Sequence, residues 1–139
     1  GRKQYKEENN LIQKKLEKAI ENNLKVILCV GETIEEKVND KTYNIIKREL
    51  ENLKFTNDVI ISYEPVWAIG SHITPTNDEI EKIVDYIKSL TNLDVIYGGS
   101  VSEDNIETLN KIPNLSGFLL GSGALKSSSL NKIIEVVLK

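Results

Sequence analysis

Four short apolar runs, separated by stretches with helical spacing, constrain this chain more than any other feature. The runs are "LKVILCVG" (24–31), "DVIISYE" (58–64), "DVIYGGS" (94–100) and "GFLLG" (117–121). Each is nearly continuous in apolar residues rather than alternating, as in strands buried on both faces of a parallel sheet. Between them the period changes. Leu11, Ile12, Leu16, Ala19 and Ile20 share a helical face in residues 7–22, and Ile34, Val38, Ile45, Ile46 and Leu50 share one in 34–53. Thr76-Asn77-Asp78-Glu79 reads as a capping box opening a helix with Ile80, Ile83, Val84 and Ile87 inward. A short helix over 102–111, capped by Ser102, and a last one over 127–138 complete the pattern.

The order is α-βα-βα-βα-βα, an α/β arrangement that implies a parallel sheet with right-handed crossovers. Four strands with five helices fit either an open sheet or half of an eight-stranded (β/α)8 barrel, and composition does not separate the two. With 139 residues and no low-complexity tract or charge block, residues 1–139 are expected to form a single domain. In the half-barrel reading that domain is a partial one, exposing 24–31 and 117–121 as parallel edge strands.

Composition removes several classes of function. The net charge of −3 offers no basic footprint, so neither nucleic acid nor a membrane surface is an expected partner. One cysteine (Cys29) and one histidine (His72) make no disulfide and no structural zinc site, so neither a metal nor another cofactor is expected. A polar start, "GRKQYKEENN", and an unpaired Cys29 fit a cytoplasmic, reducing compartment without a signal peptide; Cys29 is expected to be a buried structural thiol.

The informative residues sit where the strands end: "VGET" (30–33), "YEPVWAIG" (63–70), "YGGS" (97–100) and "LGSG" (120–123). Parallel α/β proteins assemble their sites at the carboxyl ends of strands. Gly98-Gly99-Ser100 and Gly121-Ser122-Gly123 let backbone N–H groups approach an anion closely, so two such turns on neighbouring strands suggest one phosphate cradle; ordinary tight turns are the simpler alternative. Glu64 closes an apolar strand and is followed by Pro65 and Trp67. Apolar surroundings disfavour a carboxylate's charged form, a direction that suits a general base near neutral pH, whereas an isolated Glu at a strand end more commonly just pairs with a cation. Pro65 and Trp67 read as one rigid hinge and Thr74-Pro75 as a second, with the segment between them, Ala68 to His72, as a lid over the base or else a plain surface loop with a packed Trp.

Taken together, "YEPVWAIG" (63–70), "YGGSV" (97–101), "GFLLGSGAL" (117–125) and "VILCVGET" (26–33) resemble triosephosphate isomerase, in the family's order and at its spacing. Even "RKQYKEENNLI" (2–12) looks like the segment after the family's fourth strand, so the resemblance covers essentially the whole chain and only the carboxyl-terminal half of the fold, strands 5 to 8. It implies interconversion of dihydroxyacetone phosphate and D-glyceraldehyde 3-phosphate by enediol proton transfer, a step of glycolysis and gluconeogenesis. Glu64 matches the catalytic carboxylate; Gly70, Ser100, Gly121 and Ser122 match the phosphate contacts; and Pro65, Val66, Trp67, Ala68, Ile69, Gly70 and Ser71 match the lid. A lid that excludes water and a neutral histidine acting beside the base are established for that family rather than inferred from these residues.

The departures are equally specific. The family's catalytic lysine and histidine lie on earlier strands and are not in this chain, and His72 sits in the lid segment where it replaces neither. The tip reads Gly70-Ser71-His72 instead of Gly-Thr-Gly, and Gly121-Ser122 stands for Gly-Gly. The resemblance therefore implies a missing amino-terminal half-barrel, or self-association, as partner. Family members are homodimers, and a principal interface loop follows their third strand, outside this chain. Two alternatives stand beside the isomerase: another phosphate-binding (β/α) barrel enzyme, which has no reason to place Glu-Pro-x-Trp at this strand end, and an inactive half-barrel fragment.

Overall fold

A computed structural model describes residues 2–22, 24–56, 58–69 and 73–120. Its elements are α1 (Arg2–Glu21), β1 (Val26–Val30), α2 (Ile34–Val38), α3 (Thr42–Leu50), β2 (Val59–Tyr63), a single 3₁₀ turn (Val66–Ala68), α4 (Asn77–Thr91), β3 (Val95–Tyr97), α5 (Ile106–Leu109) and β4 (Gly117–Phe118). The expected helix over 127–138 lies outside the described residues.

The strands form one parallel sheet in the order β1-β2-β3-β4. The register sets Val30 beside Tyr63 and Tyr63 beside Tyr97, so three strand ends lie level. One face packs on helices. Val30, Val59, Ile61, Tyr63, Val95 and Tyr97 form a core with Leu16, Ile46, Leu50, Ile80, Val84, Ile87, Ile106 and Leu109. Each such side chain contributes about 1.5–3 kcal/mol by leaving water. Among the described residues the opposite face has less cover: Ile27 is 48% exposed, the Cys29 thiol is exposed and Ile60 and Ile96 are half-buried, with Ser62 alone buried there. Among the described residues, four sequentially ordered parallel strands with helices on one face and two unpaired edges make this half of a (β/α)8 barrel. The exposure of Cys29 corrects the expectation of a buried thiol, because it lies on an edge strand and points to the less covered face.

Local chemistry explains the boundaries. The continuous helix expected over 34–53 is two helices. Asn39 ends α2, Asp40 adopts φ 57°, and the chain restarts at Thr42. Asp and Asn tolerate this left-handed conformation better than most residues, which is why "VND" can break an otherwise helical pattern. The break leaves Ile34 and Val38 at 50% and 73% exposure, while Ile45, Ile46 and Leu50 are buried as expected. In α1 the inward residues include Leu16 and Ile12, and Leu11 faces out. Asn9 is buried and donates to the carbonyls of Arg48 (2.7 Å) and Glu51 (2.8 Å), satisfying groups that the end of α3 leaves open. The capping box at Thr76 and Glu79 is present as read, and α4 ends on Asn92 at φ 58°. Ser102 does not cap by its side chain. Its carbonyl accepts from Ile106 N, Asn105 takes the cap position, and α5 shortens to one turn.

Candidate active site

Glu64 follows β2 directly and extends its ladder by one bond, donating its N–H to the Val30 carbonyl at 2.7 Å. It is half-buried, with Tyr63 and Pro65 buried on either side. Glycines on both neighbouring strands clear its surroundings. A Cβ on Gly31 would lie 1.9 Å from the Glu64 carbonyl oxygen, and one on Gly98 would lie 2.6 Å from both Glu64 Cγ and Oε1. Neither position can carry a side chain without displacing Glu64. The Cys29 thiol is exposed; partial burial first, then hydrogen bonding toward Glu64 and the carboxylate's charge, push it up to about 11. It is therefore a neutral thiol at ordinary pH, not a nucleophile.

A second carboxylate, which the sequence reading did not single out, organises the turn beyond Glu64. Glu32 is 1% exposed. It accepts from Tyr63 OH at 2.8 and 3.0 Å and from Trp67 Nε1 at 3.1 Å, while its backbone carbonyl accepts from Val66 N at 2.9 Å. Burial first, then the charge of Glu32 and the hydrogen bond to it, push the Tyr63 phenol far above its usual range. The Tyr97 phenol is raised by burial and by the same charge. The available signal was positional: Glu32 ends "VG" after β1 much as Glu64 ends β2.

Of the lid residues, Pro65 to Ile69 are described. They form the 3₁₀ turn, closed by Ala68 N to Pro65 O (2.9 Å), with Ala68 buried and Val66 and Ile69 each 54% exposed. Ser100 lies at the carboxyl end of β3 and its hydroxyl donates to the Ala68 carbonyl, joining the β3 turn to this segment. Asn105 completes the join: its amide donates to Ser100 O (2.8 Å) and Thr74 Oγ1 (3.2 Å), and its Oδ1 accepts from Ser102 N (2.8 Å). Glu64, Pro65–Ile69 and Ser100 therefore come together at one end of the sheet, while Gly70, Ser71, His72, Gly121 and Ser122 lie outside the described residues. Among the described residues no group of three His, Cys, Asp or Glu side chains could hold a metal ion, and no helix is long and apolar enough to cross a membrane.

A half-buried carboxylate at the carboxyl end of a parallel strand, followed by a turn tied to the next strand's loop, stands at the end of the sheet where (β/α)-barrel proteins carry their sites. The sequence profile of triosephosphate isomerase matches residues 1–137. The chain is 44% identical to the triosephosphate isomerase of Wolbachia pipientis wMel over 96% of its own length and 56% of that protein's. It is 40% identical to that of Mesomycoplasma hyorhinis (97% and 58%) and 33% identical to that of Thermodesulfovibrio yellowstonii (96% and 60%). The chain belongs to the triosephosphate isomerase family, and it spans little more than half the length of these curated relatives.

Proposed function

We propose that these residues are the carboxyl-terminal half of an aldose–ketose isomerase acting on dihydroxyacetone phosphate and D-glyceraldehyde 3-phosphate in the cytoplasm, as part of glycolysis and gluconeogenesis. The observation that carries the reading is the space kept around Glu64 by Gly31 and Gly98, with the Pro65–Ala68 turn directly beyond it. Glu64 takes a proton from one substrate carbon, leaving an enediolate, and returns it to the neighbouring carbon while a proton passes between the two substrate oxygens, so no cofactor is consumed. Gly70, Ser100, Gly121 and Ser122 hold the phosphate through backbone N–H groups, which needs no basic patch and agrees with the net charge of −3. The segment 65–71 acts as a lid that excludes water.

The remaining half of a barrel, supplying a lysine and a histidine, is the partner we assign to the less covered face and to the β1 and β4 edges. An electrostatic stabiliser of a developing oxyanion is worth on the order of 3 kcal/mol, about a hundredfold or more in rate, so Glu64 alone gives little turnover. By itself the chain is weakly stable or self-associates.

Mixing the chain with an amino-terminal half that carries the lysine and histidine, then assaying triose phosphate isomerisation, tests the reading. Activity that disappears in Glu64→Gln supports it. A folded, soluble mixture without activity identifies a non-catalytic half-barrel instead, and full activity in Glu64→Gln removes Glu64 as the base.

A further inference from the structure

Lys37 sits on α2, the short helix that follows β1, and makes two contacts that no feature of the sequence links. Its Nζ lies 4.9 Å from the centroid of the Trp67 ring and 3.3 Å from Glu79 Oε1. Trp67 belongs to the turn directly after Glu64. Glu79 belongs to the first turn of α4, where its other oxygen, Oε2, accepts the Thr76 N–H at 3.1 Å and so fixes the chain just after Pro75. The two ends of the connection between β2 and α4 thus meet on one ammonium group. Neither contact is redundant with the backbone. Trp67 is anchored on its N–H edge by Glu32, and a cation near the ring adds restraint across the indole's face.

We infer that Lys37 is a positioning residue for the β2–α4 connection: its cation, shared between the Trp67 ring and the Glu79 carboxylate, sets where the two ends of that connection stand relative to each other beside Glu64. The lysine suits this role because its flexible stem lets a point charge reach two partners on different elements. Its side chain is only 30% exposed, so water screens the arrangement less than it would a fully solvated pair. Only the catalytic consequence of this placement rests on the function proposed above; the placement itself does not.

Trp67 is the chain's single tryptophan, so its fluorescence reports this contact without labelling. Acrylamide quenching is measured for the parent chain and for Lys37→Met, Lys37→Arg and Glu79→Gln, with circular dichroism and urea unfolding run alongside. Lys37→Met keeps the stem and removes the charge; the quenching constant is expected to rise as the ring loses its cation and becomes more accessible. Lys37→Arg restores a value near that of the parent. Glu79→Gln retains an acceptor for Thr76 and gives a smaller rise, about twofold or less. Unchanged quenching in Lys37→Met, or an arginine that fails to restore it, overturns the inference. If Lys37→Met does not fold, Glu79→Gln decides: a rise supports the shared cation and no change overturns it. No substrate is involved, so failed complementation leaves this result untouched.

Discussion

Trp67 donates its indole N–H to the buried carboxylate of Glu32 at 3.1 Å, on a group that also receives the Tyr63 hydroxyl. A residue of the β1 turn thereby holds the ring that follows the catalytic candidate on β2. Buried carboxylates persist where their lone pairs are satisfied, and here two side-chain donors converge on the carboxylate while Val66 N–H donates to the backbone carbonyl of the same residue.

Removing that carboxylate is expected to cost more than any exposed substitution in the chain. Glu32→Ala leaves the Tyr63 hydroxyl and the Trp67 N–H without their shared acceptor, at about 1–3 kcal/mol for the buried hydroxyl and less for the half-buried indole. Glu32→Gln keeps one acceptor oxygen and should lose less. Urea unfolding ranks the three proteins, and a midpoint for Glu32→Ala equal to the parent's would refute the assignment.

The two glycines around Glu64 should fail differently. At Gly31 a methyl group meets backbone atoms of Glu64, at 1.9 Å and 2.4 Å, which cannot turn aside. At Gly98 it meets the Glu64 side chain and the Ser62 hydroxyl at 2.6 Å, which can rotate. Gly98→Ala is therefore expected to cost about 1–3 kcal/mol, as overpacking does, while displacing the carboxylate. Gly31→Ala should cost more and lower the yield of folded chain. In the reconstituted enzyme Gly98→Ala should lose isomerisation out of proportion to its stability.

Glu49 makes stability depend on pH. Burial, assisted by the charges of Glu36, Glu32 and Glu8 and partly opposed by the Gly31 N–H, pushes its carboxyl from 4.5 to about 7. Below about pH 4.5 both folded and unfolded chains hold this proton. Between 4.5 and 7 the unfolded chain gives it up first, so stability falls as pH rises, and above 7 the effect is complete. Glu49→Gln, whose amide oxygen still accepts from Gly31, should be more stable than the parent at pH 8 by on the order of 2 kcal/mol. Its advantage should vanish near pH 4.5. Urea midpoints for both proteins across that range check the direction.

The Cys29 thiol is exposed and yet should react slowly. Partial burial and the Glu64 carboxylate hold it at about 11, so little thiolate exists at neutral pH. Iodoacetamide should modify it at pH 7.5 at least tenfold more slowly than it modifies the unfolded chain. Glu64→Gln removes the opposing charge and should speed the reaction severalfold. Equal rates in the two proteins would mean that the thiol and the carboxylate do not interact.

Much of this architecture was legible because it is written in local patterns. The apolar runs located β1 to β4, the Thr76–Glu79 box located the start of α4, and the Glu64-Pro65-x-Trp67 run pointed to the candidate site. What stayed hidden depends on residues far apart in sequence. Glu32 acquires its role only when β1 and β2 pair and bring Tyr63 and Trp67 to it, 31 and 35 positions away. Asn105 becomes a link only when the β3 turn meets Thr74. The break at Asp40 was missed for a different reason. The apolar spacing continues across it, and a single left-handed residue leaves little trace in a periodicity.

The open sheet sets a choice between two kinds of assembly. Joining the β4 edge of one copy to the β1 edge of the next, in parallel, is a head-to-tail contact. If the curvature brings two copies round on themselves, eight strands close into a ring and growth stops. If it does not, the same contact repeats without limit and the product is a fibre. Whether a concentrated solution of this chain stays clear or thickens therefore measures the bend of the sheet.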